Sequence, residues 1–206
     1  MTADLDTLWA VVIGALLATA GGFGATQLEG FLRRRERERS AALLFGEILS
    51  VLKLVVGFAD DARAVGDPYG PLTMRLLRAA QRETEAYDRN REALYDLRDA
   101  GARAQIHSLV VRVSLGLEGV FDAGQEIAEA DGALKALEPE DPAAAELVAR
   151  RGVLSESRAA AFEFAVESLG EVEAIVAVLR PLAKQSFDTY ATIIRGAGPG
   201  GGPQAA

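Results

Sequence analysis

The chain has 206 residues, half of them hydrophobic but only 6% aromatic, with a single histidine, no cysteine and a net charge of −8. That composition favours packed helices over sheets and excludes disulfides, zinc ribbons and thiol nucleophiles. The first 39 residues are electrically balanced, so the acidic excess lies in the rest, where 25 acidic against 17 basic side chains repel a phosphate backbone and argue against nucleic acid as a partner.

The 22 residues from Thr7 to Leu28 carry no charge. As a helix they would measure about 33 Å, close to the roughly 30 Å hydrocarbon core of a bilayer. Trp9 stands near one end, where an indole favours the membrane interface. The glycines of "GGFG" lack the flanking strand and the Lys-Ser/Thr pair of a phosphate loop. Ala18, Thr19 and Ala20 match a signal-peptidase pattern, but the preceding "MTADLD" is acidic where a cleaved signal needs positive charge. A membrane anchor is the reading that remains. Small residues recur every fourth position through Ala10, Gly14, Ala18, Gly22, Thr26 and Gly30. Such a groove lets a second helix approach closely, with Gly14, Ala18 and Gly22 as the centre of association.

Arg33, Arg34, Arg35, Arg37 and Arg39 follow at once, while no Lys or Arg precedes the stretch. Positive flanks stay in the cytoplasm, which places the N-terminus outside and the body inside. The same arginines are the candidates for contact with anionic lipid headgroups. Spacing predicts Arg34–Glu38, Arg33–Glu36 and Glu36–Arg39 pairs that keep this stem helical.

In residues 40–59, a stripe through Leu44, Ile48, Val51, Val55, Phe58 and Ala62 has bundle-core spacing, flanked by Phe45, Leu49, Leu52, Val56 and Ala59. Gly46, Ser50, Lys53 and Gly57 fall on another face. Glu47 and Lys53 would be costly in lipid, which argues against a second span here. After the break "GDPYGP", a helix is expected over about 72–98, striped by Leu76, Leu77, Ala80, Tyr87, Leu94 and Leu97. A third, over about 102–137, aligns Ile106, Val110, Val113, Leu117, Val120 and Ile127. Its Val111 and Leu115 lie on the opposite side and call for cover there. A fourth runs over about 143–195 with a seam of Ala165, Leu169, Val172, Val176 and Leu179, interrupted by Pro181. The expected fold is all-α: one N-terminal transmembrane helix continuing into an antiparallel, roughly four-helix bundle. The divisions are an anchor over 1–32, a basic stem and first bundle helix over 33–65, further bundle helices over 66–195, and a disordered Gly/Pro tail over 196–206.

Chemistry is sparse. His107 has no neighbour at metal-ligand spacing and no serine partner, so it reads as a structural histidine. Glu118, Asp122, Glu126 and Glu129, and likewise Glu156, Glu163, Glu167 and Glu171, form ridges opposite the apolar seams, as solvated faces do. Neither a catalytic group nor a cofactor or metal site emerges. The stretch "EAYDRNREALYDLRD" mixes aromatic and basic residues as interfaces do, making Tyr87, Asn90 and Arg91 the candidate partner surface.

The acidic N-terminus, the Gly-rich span, "RRRERERSAALLFGEI" and "YDRNREAL" together resemble uncharacterised single-pass, membrane-anchored helical proteins of bacteria over about residues 1–100. The resemblance is one of architecture and implies no activity. The expectation is a non-enzymatic interaction or scaffold protein of the bacterial inner membrane, acting as a homo-oligomer or within a membrane-protein complex. The alternative is a single-pass sensor that couples span packing or a ligand to the bundle.

Overall fold

A computed structural model describes residues 2–138 and 141–187, with side chains described from Gln27 onward. Among these residues the chain is all-α, with five helices packed as a bundle: α1 (Thr2–Val65), α2 (Pro71–Arg89), α3 (Ala100–Ala136), α4 (Pro142–Ser168) and α5 (Val172–Ala183). The Gly/Pro tail at 196–206 and the expected helical end near 195 lie outside the described residues.

Stretch, stem and first bundle helix form one continuous helix of 64 residues, α1. No proline falls within it to break the run. Its bundle half buries Ala42, Phe45, Leu49, Leu52, Val56 and Ala59, all at most 1% exposed. Their alternating 3-4 spacing is that of a coiled-coil seam. The seam runs through the residues expected to flank the stripe: of the stripe itself Ile48 is buried, while Leu44, Val51, Val55, Phe58 and Ala62 are only half-buried. The cause is the pair of neighbours, because α1 packs mainly against α2 on one side and α5 on the other. Gly46, expected on an outward face, is covered by the Phe187 ring so closely that a Cβ would overlap it. Lys53 reaches Glu173 of α5 at 2.9 Å.

Among the described residues, one helix is long and apolar enough to cross a membrane: α1 over Gln27–Val65, with mean hydropathy 2.0 in its most apolar window. Of that window 44% is buried within the protein. A bundle-core helix passes the same test, and the buried seam shows this half of α1 in that role.

The second helix is shorter than its pattern. It ends at Arg89, where Asn90 leaves helical geometry (φ −111°, ψ 13°) and its side-chain amide donates to the Ala86 carbonyl at 2.8 Å. Asn competes with the helical backbone in this way. A 3₁₀ turn, Arg91–Asp96, then lets Leu94 and Leu97 reach the core. Asp99 caps α3 by accepting from the N–H groups of Gly101 and Ala102, satisfying two donors that a helix start leaves unpaired.

All six expected seam residues of α3 are buried. Among the described residues nothing supplies the expected cover on its other side: Val111 and Leu115 remain 41% and 57% exposed. The fourth helix also departs from expectation. It breaks at Leu169–Glu171, a 3₁₀ turn, and not at Pro181. Ser168 Oγ donates back to the Phe164 carbonyl at 2.8 Å, and Gly170 follows, so the helix is weakened there. The break divides the work, since α4 packs chiefly on α3 and α5 on α1. Pro181 sits inside α5, close to its left-handed cap at Lys184 (φ 55°). The missing N–H of Pro181 thus falls near an end that was about to terminate.

The α3–α4 contact is close at Gly116. A Cβ there would lie 2.8 Å from both the Ala161 carbonyl oxygen and the Ala165 Cβ, and one at Gly119 would lie 3.0 Å from the Ala161 Cβ. Because the obstacle at Gly116 includes backbone, Gly116→Val should destabilise the chain by about 1–3 kcal/mol through overpacking. Gly132→Ala, with nothing within 4 Å, should stabilise it by roughly 0.5–1 kcal/mol. Urea unfolding of the full chain in mild detergent checks both; equal effects would disprove the tight crossing.

Candidate functional site at the arginine-rich end

The arginine run of α1 stands beside the connector between α2 and α3. Glu38 draws the two together: it accepts from the Arg98 backbone N–H at 3.2 Å and pairs with Arg98 Nε at 3.4 Å. Arg39 Nε donates to the Ala183 carbonyl at 3.3 Å, joining α1 to the last turn of α5. Arg103 donates to the carbonyls of Leu97 and Arg98, stiffening the connector.

These contacts replace the local pairs expected from spacing. Arg33 pairs backward with Glu29 at 2.5 Å, and Glu38 is taken by Arg98. An exposed i,i+4 pair contributes only about 0.3–0.5 kcal/mol, so a partner on another segment readily displaces it. Among the described residues Arg34, Arg35 and Arg37 are left without a carboxylate; Arg35 instead lies 5.3 Å from the centre of the Phe31 ring. Two clefts of about 370 Å³ open at this end. One is bounded by Arg33, Glu36, Arg37, Leu44 and Asp96. The other is bounded by Gln27, Gly30, Phe31, Arg34 and Arg98.

The expected partner surface is divided. Tyr87 is 1% exposed and faces the core, so it is not a surface contact. Its position continues the inward stripe Thr73, Leu77, Ala80 and Thr84 of α2. The ring lies 5.7 Å from that of Phe45, and the hydroxyl is hydrogen-bonded to His107 Nδ1 at 2.9 Å. The lone histidine thus satisfies a buried phenol. Asn90 and Arg91 are exposed, and the aromatic that does face outward is Tyr95, 75% exposed. Position in the 3₁₀ turn, which helical periodicity does not reveal, decides that difference. Gly14, Ala18 and Gly22 lie in the first half of α1, and their surroundings fall outside the described residues.

The acidic ridges are partly consumed by pairing between helices. Glu163 pairs with Arg63 and Glu171 with Arg112, both at 2.6 Å, and Glu126 with Arg150 at 2.8 Å. Glu118, Asp122, Glu156 and Glu167 stay exposed. Among the described residues no three acidic or histidine side chains converge in a way that could hold a metal ion. At the opposite end of the bundle, Arg63 and Arg158 lie over the Tyr69 ring at 5.5 and 3.7 Å, and Arg63 also covers Phe162 at 4.5 Å. That cluster ties the end of α1 to α4.

Burial disfavours a phenolate, so Tyr69 and Tyr87 both hold their protons above the ordinary value of 10.0, partly offset by nearby arginines. A proton held more tightly by the folded than the unfolded chain stabilises the fold below that value. The contribution is lost as pH rises from 10 through the folded value. Stability should therefore fall in that window, and less steeply in Tyr87→Phe, when melting is followed against pH. At neutral pH, Tyr87→Phe should cost about 0.5–1.5 kcal/mol for the lost hydrogen bond and Tyr87→Ala about 3–5 kcal/mol for the emptied core position. A neutral Tyr87→Ala would show the ring to be outside the core.

No protein-family model matches the chain, and no curated protein or solved structure matches it.

Proposed function

We propose that this chain is a membrane-tethered helical scaffold of the bacterial inner membrane, without enzymatic activity. Residues 7–28 are its single span, the N-terminus lies outside, and the bundle hangs in the cytoplasm. The observation that carries this reading is the continuity of α1. One helix runs from the uncharged stretch through five arginines into the buried seam, so anchor and body are joined without a hinge. The acidic residues ahead of the stretch favour an anchor over a cleaved signal. Association with a second copy or another membrane protein would use Gly14, Ala18 and Gly22. Asn90 and Arg91, with Tyr95 beside them, supply the exposed partner surface.

The same continuity favours a second reading, a sensor. Rotation or tilt of an unbroken helix is passed to its far end, so a change in span packing would reach the seam between α2 and α5. A scaffold requires only position; a sensor requires that the bundle respond.

Because the chain has no cysteine, single cysteines report topology cleanly. A membrane-impermeant maleimide should label Thr2→Cys in intact cells and Ser155→Cys only after permeabilisation. The reverse pattern would sink the orientation, and release of the chain by an alkaline wash would sink the anchor. Cross-linking in native membranes should recover self-pairs or a distinct partner, and Gly22→Ile should reduce that recovery at least severalfold. Undiminished recovery would exclude the span groove as the association surface.

A further inference from the structure

We propose that Arg34 and Arg98 form a two-guanidinium site for the phosphodiester headgroup of an anionic phospholipid seated beside α1. This rests on residues 7–28 being a membrane span.

The two arginines are 64 positions apart in sequence, yet both border one cleft of about 370 Å³. The remaining walls are Gln27, Gly30 and Phe31, so among the described residues no carboxylate lines it. Arg34 has no hydrogen bond or ion pair among the described residues. Arg98 is held by Glu38 through its Nε and its backbone N–H. That grip leaves both Nη groups without a partner among the described residues and available to donate. Guanidinium forks suit phosphate oxygens, which they bind with paired, charge-assisted hydrogen bonds.

Depth along α1 and apolar flanks point to a lipid as the source of the phosphate. Arg34 follows Leu28, the last residue of the uncharged stretch 7–28, by six positions, or about 9 Å of helix rise. The headgroup layer occupies roughly 5–8 Å on each side of the hydrocarbon core, so a side chain reaching back from Arg34 falls within it. Leu28, Phe31 and Leu32 are 59%, 47% and 54% exposed around the same turn. Acyl chains and the glycerol backbone would cover these side chains while the phosphate sits between the arginines. A Cβ at Gly30 would meet nothing within 4 Å, which leaves the floor of the cleft open along α1. The connector thereby gains a role at the bilayer surface, closing a site that α1 begins.

The test uses the full chain in nanodiscs of phosphatidylcholine, with or without a minor fraction of phosphatidylglycerol, and native mass spectrometry to count retained lipids. Wild type should retain phosphatidylglycerol preferentially. Arg98→Gln and Arg34→Gln should each weaken that retention about tenfold, as expected for loss of a charge-assisted hydrogen bond. Arg89→Gln, exposed at the end of α2 and outside the cleft, should leave it unchanged. Among the described residues Arg34 has no partner to lose, so its variant reports binding without breaking a contact that holds the bundle. Equal losses in all three variants would reduce the effect to diffuse charge and overturn the site, as would no loss in any. If glycerol phosphate added to the phosphatidylcholine discs is itself retained, and its retention falls in the Arg34→Gln and Arg98→Gln variants, the ligand is a soluble phosphate and the lipid assignment falls. A chain released by alkaline wash fails as an anchored protein. One that resists the wash yet shows no preference for phosphatidylglycerol fails at this site alone.

Discussion

The seam of α1 from Ala42 to Ala59 is the contact against which the other helices are set. α2 and α5 lie on its two sides, and the Leu94 and Leu97 side chains of the connector complete the same core. Each large aliphatic side chain removed from water there contributes about 1.5–3 kcal/mol. The register is held by exclusion as well. Turning α1 by one residue, about 100°, toward the Gly46, Ser50 and Lys53 face would swing the Lys53 charge toward apolar neighbours, where an unpaired charge is costly. In the observed register Lys53 instead finds Glu173 at the rim.

From that seam the fold is extended by two changes of direction, each made where the local backbone is weak. Asn90 ends α2 and admits the 3₁₀ turn; Ser168 and Gly170 end α4 and release α5 toward α1. Between them α3 and α4 form a long pair whose backbones approach at Gly116 and Gly119 against Ala161 and Ala165. Small residues permit that approach, and packing density does the rest. The pair is fastened to the end of α1 by the arginines that bracket Tyr69 and Phe162. Each such cation–π contact is worth about 0.5–2 kcal/mol depending on its desolvation.

Electrostatics at the arginine-rich end follows from one carboxylate. Glu38, with its side chain only 13% exposed, is turned toward the connector and engages Arg98. That removes the local partner which spacing offered to Arg34, and among the described residues Arg34, Arg35 and Arg37 are left without a carboxylate beside an apolar helix. In the proposed setting the compensating charge comes from the membrane. Scaffold and sensor readings both depend on the same mechanical property, a helix without a hinge between apolar stretch and core.

Periodicity and composition alone determined the helical class, the buried faces of α3 and α5, the turn at "GDPYGP" and the inward stripe on which Tyr87 lies. These are consequences of local spacing, and local spacing survives folding. Which of two adjacent stripes on α1 became the seam was decided by the tertiary structure, because the answer depends on two partners that approach from different sides. So were the placement of Tyr87 inside and Tyr95 outside, the break at Leu169–Glu171 in preference to Pro181, and the burial of Gly46 under Phe187. A proline near a helix end removes little, whereas a serine that bonds back to its own helix matters when a neighbour draws the chain elsewhere. The pairing of Glu38 with Arg98 and the meeting of Arg34 with Arg98 were likewise beyond sequence spacing. Residues 60 or more positions apart are brought together only when the helices between them have packed.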